Sequence, residues 1–369
     1  MISEVKGVMD MAKKVTMQQI AEQAGVSKYA VSKALSGQAG VSEETRERIV
    51  KIATQLGYFL QDNRGNVRKS GTAKEKGKAN TIVVLLPNVR MQNRASSFWG
   101  RIVDGISTAV TERGYGTILV TEHSPENFLQ VLNPSGVLGV IGVGLVATSL
   151  LLEIRNMGLP FVLIDHEDES VPSDTVFVNN FDISRQLTHF LLGQGHRHLQ
   201  FVGDPCFAQS FRHRWLGFRT ALEERDIPLR QSNELVGTLG VTRDEHIAGL
   251  TRIVSQLMRG GDMPTAFVCA NDSLAISVVT MLREMDIDVP VDVSVTGFDD
   301  IDDASEIRPA LTTVYVDKKQ MGARAVDLLM RRIDHPDAPR EKLHICGEIV
   351  LRDSTAAPVR RLEQADCEA

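Results

Sequence analysis

Lys28, Tyr29, Ser32 and Lys33 fall on one face of a short helical pattern, and their chemistry suits the reading of a nucleic-acid groove. The two lysines can donate to guanine edges, and Tyr29 can make a polar or methyl contact. Thr16, Ser27 and Ser32 offer hydroxyls to phosphates, as do the free amides at helix starts. These residues must be held by the elements around them. Thr16-Met-Gln-Gln19 has the form of a capping box, after which Ile20, Ala21 and Ala24 make one apolar face. Gly25-Val26 predicts a tight turn. Ser27 then caps a second helix that buries Ala30, Val31, Ala34 and Leu35, and Ser36-Gly37-Gln38 ends it. Ser42 caps a third helix with Glu43 and Glu44 in its first turn and Ile49, Ile52, Ala53 and Leu56 inward. Two short helices joined by a glycine turn suit insertion of the second into the major groove of duplex DNA. A plain three-helix bundle with a polar surface is the alternative.

Two other constellations have the look of chemistry. Gly142-Val-Gly144-Leu-Val-Ala147 follows a predicted strand and opens a predicted helix, with Asp165 about one βαβ unit later, as in a dinucleotide-binding fingerprint. It sits in the third βα unit, its helix over Ser149–Met157 is short, and no acid/base pair stands beside it. A tight strand-to-helix turn built from small residues explains it better. His196-Arg-His198 lacks further ligands at metal spacing. No Gly-x-Ser-x-Gly elbow and no phosphate-binding loop of Walker type is present. No catalytic residue, metal or cofactor is therefore expected.

The chain has 369 residues, which implies two or three domains. Cys206, Cys269, Cys346 and Cys367 are far apart and form no Cys-x-x-Cys pair, so neither a disulfide framework nor a zinc site is indicated. The N-terminus lacks a secretory pattern, and the apolar run Val137–Leu152 is short for a membrane span and is interrupted by polar residues. A soluble cytoplasmic protein is expected. Charge is divided unevenly. Residues 1–80 carry 14 Lys/Arg against 8 Asp/Glu, a net +6, which leaves −12 for the rest of a chain whose total is −6. A basic head on an acidic body directs a polyanion to the head alone. Residues 61–80 are polar and basic with almost no apolar anchor, and read as a linker. From Thr81 onward, predicted strands at Ile82–Leu86, Thr117–Val120, Val137–Ile141, Phe161–Ile164, Leu199–Val202, Ala266–Cys269 and Val293–Thr296 alternate with amphipathic stretches at Trp99–Arg113, Ile183–Leu192, Trp215–Glu224 and Leu274–Met285. Such alternation implies helix-covered parallel sheets, and nearly 290 residues of it imply two α/β lobes with a cleft between them.

The run VTMQQIAEQAGVSKYAVSKALSGQAGVSEETRERIVKIATQLGY closely resembles the lactose-repressor (LacI/GalR) family of bacterial regulators. The resemblance assigns base reading to Lys28, Tyr29 and Lys33, and phosphate contact to Thr16, Ser27 and Ser32. Ala30 stands where that family commonly has threonine, and Lys33 where it has arginine; lysine lacks the bidentate fork, which makes guanine readout less strict. The linker departs further. Where the family has a hinge helix with a leucine wedge for the minor groove, this chain places Val67, with Gly65 inside the segment. That glycine costs about 1 kcal/mol relative to alanine, so a hinge helix and a disordered tether both stand as readings. The body resembles the family's effector core over nearly its full length, through segments such as GLPFVLIDHE, FRHRWLGFRTAL, TAFVCANDSLAISVV and VPVDVSVTGFDDID. That core is similar to a type I periplasmic sugar-binding protein. Residue by residue, the resemblance puts Trp99, Asp165, Arg214, Asn271 and Asp299 at effector-facing positions, with Ser210 and Arg212 nearby. Asp, Asn and Arg supply paired hydrogen bonds for a polar solute, and tryptophan an apolar face for stacking. Each also has a plain structural reading: Trp99 as packing, Asp299 as a turn residue, Asn271 as a helix cap.

The implied architecture is an all-α helix-turn-helix head at residues 13–60, a linker at 61–80 and a two-lobed core at 81–369. Lobe 1 spans about 81–178 and 318–345, and lobe 2 about 179–317 and 346–369. The implied function is a transcription regulator, a repressor by preference, acting as a homodimer on a pseudo-palindromic duplex operator. Its affinity would respond to a small polar effector, a sugar above all. Control by a phosphorylated co-regulator protein, and at greater distance an NAD-dependent oxidoreductase, are the competing readings.

Overall fold

The computed structural model describes residues 17–35, 41, 42, 45, 46, 48, 49, 52, 80–89, 92–121, 124, 128, 136–240 and 242–358. Thr16 with its capping box, the segment that contains Val67, and the expected inward residues Ala53 and Leu56 lie outside them.

In the head, α1 (Met17–Ala24) and α2 (Lys28–Leu35) are joined by Gly25 at φ 65°. The apolar spacing works as expected. Ile20, Ala21 and Ala24 of α1 meet Val31 and Ala34 of α2, and Ile49 of a third helical stretch closes the small core. Ala30, expected inside, is half-buried. Ser27 caps α2 by accepting the Ala30 amide at 3.1 Å, and Ser42 accepts the Thr45 amide at 3.3 Å. The Arg46 guanidinium donates to the Ala34 carbonyl at 3.2 Å, tying the third stretch to the end of α2.

The body opens with β1 (Thr81–Leu85), α3 (Trp99–Glu112), β2 (Gly116–Val120), β3 (Val137–Val143), α4 (Thr148–Asn156), β4 (Phe161–Ile164) and β5 (Asp174–Val178). It continues with α5 (Asn180–Gly193), β6 (Leu199–Val202), α6 (Gln209–Glu223), α7 (Arg243–Arg259), β7 (Ala266–Cys269), α8 (Asp272–Glu284), β8 (Ser294–Thr296) and α9 (Asp302–Glu306). Then come β9 (Thr313–Tyr315), α10 (Lys318–Asp334), β10 (Lys342–Ile345) and β11 (Glu348–Val350). Two parallel sheets result, a six-stranded one in the order β10-β5-β4-β3-β1-β2 and a three-stranded one in the order β6-β7-β8; β9 and β11 form a separate antiparallel pair. Each large sheet has its own apolar core. The near-continuous apolar runs in β1 and β3 are what a parallel strand covered on both faces requires.

α6 begins at Gln209, six residues before the expected start, because the polar run QSFRHR is helical and turns Ser210, Phe211 and Arg214 inward. The expectations did not include β5, β9, β10, β11, α7, α9 or α10. The three outer strands are short or alternate polar residues; β10 reads Lys-Leu-His-Ile and is nowhere fully buried.

α3 and α10 cross through facing glycines. A Cβ on Gly322 would lie 2.3 Å from the Ile102 carbonyl oxygen, and one on Gly105 would lie 2.1 Å from the Lys319 carbonyl oxygen. Both obstacles are main chain and cannot rotate away. Gly322→Ala is therefore expected to destabilise the body by about 1–3 kcal/mol, the usual cost of overpacking, read as a lower urea midpoint. An unchanged midpoint would mean that the crossing has slack.

Candidate functional site

On the head, the exposed face of α2 carries the residues expected to read DNA. Lys28, Tyr29 and Ser32 are exposed, with Tyr29 at 70%, and Lys33 is half-buried. The Lys33 ammonium lies 5.0 Å from the centre of the Tyr29 ring, a cation–π arrangement that holds the two side chains side by side. Ser27 spends one acceptor site on the helix cap, which leaves its hydroxyl hydrogen able to donate.

In the body, the candidate residues follow the carboxyl ends of parallel strands, where open α/β sheets place ligands. Asp165 follows β4, Asn271 follows β7 and Asp299 follows β8. Arg214 reaches them from α6. Its side chain is 4% exposed and its guanidinium pairs with Asp299 at 3.1 Å. Nε donates to Asn180 Oδ1 at 2.8 Å and Nη1 to the Ala270 carbonyl at 2.6 Å. The Phe298 ring centre lies 3.7 Å from its Cζ. Three of the five guanidinium N–H groups are engaged in this way, and two remain. Asp165, at φ 54°, accepts the Ser210 hydroxyl at 3.2 Å. Beside it, Gln209 donates to Glu167 at 3.2 Å.

Burial sets the electrostatics. It raises the Asp165 carboxyl to about 7, against the pull of Arg214 and with a further push from Asp299. Burial also raises Asp299, opposed by Arg214 and Lys318. Asp272, the first residue of α8, is raised to about 8 by burial and by Asp299, although the Thr313 hydroxyl and the Ile301 amide both donate to it.

Arg214 and Asp299 thus meet, with Asp165 inside their field. Asn271 does what its plain reading said and caps α8, accepting the Leu274 amide at 2.9 Å. Trp99 is half-buried, edge-on to Phe98 at 4.8 Å, and packs against the core of the six-stranded sheet. Arg212 points outward and is exposed. Asn180, Phe298 and Lys318 belong to the constellation and were not singled out; nothing local marks a polar residue whose burial depends on a distant partner.

Two decoys resolve into structure. The turn at Gly144 (φ 70°) encloses the Gln92 side chain, which accepts the Leu145 amide at 2.6 Å and donates to the Leu145 carbonyl at 3.2 Å. The amide that would greet a pyrophosphate is taken. His196 is buried, with Nδ1 at 2.9 Å from the Thr265 hydroxyl and Nε2 at 2.9 Å from the Ala356 carbonyl, and so fastens the C-terminal segment. Among the described residues no group of three or more His, Cys, Asp or Glu is arranged to hold a metal.

Residues 16–60 match the model of bacterial regulatory proteins of the lacI family, and residues 188–355 match that of a periplasmic binding protein-like domain. The HTH-type transcriptional repressor PurR of Vibrio parahaemolyticus is 26% identical over 345 residues, covering 92% of this chain and 98% of the relative. Among solved structures, a complex of the transcriptional regulator CelR with cellobiose aligns with a TM-score of 0.66 at 26% identity, over 92% of this chain and 100% of that one. A LacI family transcriptional regulator from Enterococcus faecium with bound ribose aligns with a TM-score of 0.62 at 25% identity, over 75% of this chain and 99% of that one.

The raised carboxyls predict how stability depends on pH. Their folded values, about 7 for Asp165 and about 8 for Asp272, lie above the ordinary 3.8, so the native state holds more protons than the unfolded chain across that window. Stability is then full below pH 4 as far as these groups are concerned, and falls as pH rises, by at most about 1.4 kcal/mol per pH unit for each group. Urea unfolding at pH 5 and pH 8 should show this loss, and Asp165→Asn should make it smaller. An equal loss in the variant would show that Asp165 is ionised throughout.

Proposed function

This chain belongs to the lacI family of bacterial regulatory proteins, and from that premise we propose that it represses transcription under the control of a neutral polyhydroxyl effector held by its body. It is a DNA-binding transcription regulator, and no described helix is long and apolar enough to cross a membrane. The proposal concerns what the two sites take and how they are joined.

The observation that carries it is the partly spent fork of Arg214. Two N–H donors remain beside two carboxyls, Asp165 and Asp299, one of which is near half-protonated at neutral pH. A sugar hydroxyl accepts from the arginine and donates to a carboxyl at once. Arg214 and Lys318 face Asp165, Asp272 and Asp299, so neither sign of charge dominates and a neutral solute is favoured over an ion. Sugars bound to two regulators of similar fold, cellobiose and ribose, support the same class. Trp99 supplies the stacking face in this reading, and Asn271 a carboxamide at the head of α8.

For DNA, Lys28, Tyr29 and Lys33 read bases, and Thr16, Ser27 and Ser32 hold phosphates. Two chains place two heads on a pseudo-palindromic operator in the bacterial cytoplasm, with Val67 nearest the minor groove. The effector alters the order or spacing of the segment 61–80. A coupling of about 1–3 kcal/mol is enough for a several-fold to hundredfold change in occupancy.

A duplex selected from a random pool supplies the DNA probe. Lys28→Ala and Lys33→Ala should each relax preference at one position, worth about 1–3 kcal/mol, in competition with single-base variants of that duplex. Unchanged selectivity in both would remove α2 as the reading helix. For the body, a thermal-shift panel of neutral mono- and disaccharides should contain a stabilising member. Arg214→Lys, which keeps the charge and loses the fork, should abolish that shift and leave DNA affinity intact. A shift that survives the substitution would place the effector elsewhere.

A further inference from the structure

Lys318 is the first residue of α10 and is 3% exposed. An ammonium is ill-suited to that place, because burial disfavours its charge and the positive end of the helix dipole repels it. A methionine would fill the same volume without either cost, so packing does not explain the lysine. Its Nζ donates to the main-chain carbonyls of Asp299, of Asp300 at 3.2 Å and of Val316 at 3.2 Å, one acceptor for each N–H. The charged and titratable groups that face it are Asp299, Asp272, Asp300 and Arg101.

Two of those carbonyls belong to a strained turn. Asp299 at φ 106° and Asp300 at φ 48° are successive non-glycine residues with positive φ, which persist only where the surroundings over-determine them. Cations from three parts of the chain do so here: Arg214 on the Asp299 carboxylate, Arg352 on the Asp300 carboxylate at 2.7 Å, and Lys318 on the main chain of both. On its other side, the first turn of α10 has no slack. The Lys319 carbonyl abuts Gly105 of α3, and Gly322 abuts Ile102. α3 in turn begins at Trp99, and its Arg101 pairs with Asp302, three residues beyond Asp299. Main-chain contact and charge thus form a closed ring from the turn, through α10 and α3, and back to the turn.

We propose that Lys318 is a positioning residue that transmits the geometry of the Asp299–Asp300 turn into α10 and, through the Gly105–Gly322 crossing, into α3. The biological meaning rests on the reading of Arg214 and Asp299 as effector contacts; the transmission itself needs no effector.

Amide hydrogen exchange on the full-length protein, without any added sugar, tests it. Arg214→Lys disturbs Asp299 from the α6 side. It should speed exchange about tenfold in residues 297–303, 318–326 and 100–106, and leave β4 unchanged. In a Lys318→Met background the same substitution should speed 297–303, with 318–326 changed by less than about twofold; the Arg101–Asp302 pair joins 100–106 to the turn directly, so that segment does not decide the comparison. Lys318→Arg, which keeps charge and donors, should restore the spread. Lys318→Gln serves for the comparison where the methionine variant does not fold. The inference fails if Arg214→Lys alone leaves 318–326 untouched, a result that needs no lysine variant, or if the spread persists without the ammonium. Intact spread with no sugar shifting the melting temperature would count against the effector reading and not against the transmission.

Discussion

Everything in the body that looks functional is arranged around a charge that the fold had to bury. An arginine side chain at 4% exposure is tolerable only when its donors are met and a counter-charge is close, because desolvation otherwise exceeds the Coulombic gain. The Arg214 pair satisfies this through parts brought from far apart in sequence: the carboxylate of Asp299, the carboxamide of Asn180 at the start of α5 and the Ala270 carbonyl at the end of β7. A charge network of this kind fixes relative positions more narrowly than apolar packing does, since each hydrogen bond has a direction. The same constraint accounts for Lys318, whose charge also offsets the carboxyl-rich turn after β8.

The parallel sheets make this arrangement possible. Every βα connection leaves a strand at its carboxyl end, so residues that follow β4 in the six-stranded sheet and β7 and β8 in the three-stranded one are all presented at strand carboxyl ends without any one loop having to be long. The helices are pressed close together at small residues. α3 and α10 meet at facing glycines, and α6 meets α5 at one glycine, where a Cβ on Gly217 would lie 2.3 Å from the Phe181 carbonyl oxygen. Interiors packed to this degree respond to a local change by shifting whole elements, because a helix with no room at its crossing cannot absorb displacement by bending.

Much of this was legible in the sequence, and the part that was not has a physical reason. The head could be read because caps and apolar spacing are local: Ser27, Gly25 and the Ile20/Ala21/Ala24 face lie within a few residues of one another. Strands Phe161–Ile164, Leu199–Val202 and Ala266–Cys269 stood out as short apolar runs between polar segments. Where a helix serves the site, the pattern inverts. The first turns of α6 are polar and yet buried, so periodicity placed its start too late at the very stretch that holds Ser210 and Arg214. Arg214, Asp299 and Asp165 were found through resemblance rather than pattern, while Asn180 and Lys318 escaped both, since a buried polar residue is explained only by a partner that the chain supplies elsewhere. Asn271 shows the converse: a local rule, the helix cap, describes its side-chain oxygen fully.

The division of charge gives the two sites unequal tasks. Affinity for a polyanion grows with the number of phosphates neutralised and the counterions thereby released. With +6 in the first 80 residues and −12 in the rest, net charge draws only those 80 residues towards DNA, and the charge of the rest opposes an approach within about 10 Å at ordinary ionic strength. Fewer phosphate contacts mean a weaker hold on DNA. That is the condition under which a coupling of a few kcal/mol matters: the same differential applied to a much tighter binder would leave occupancy saturated. Under the proposed function, the acidic body would keep DNA occupancy in the range where the effector's modest coupling counts.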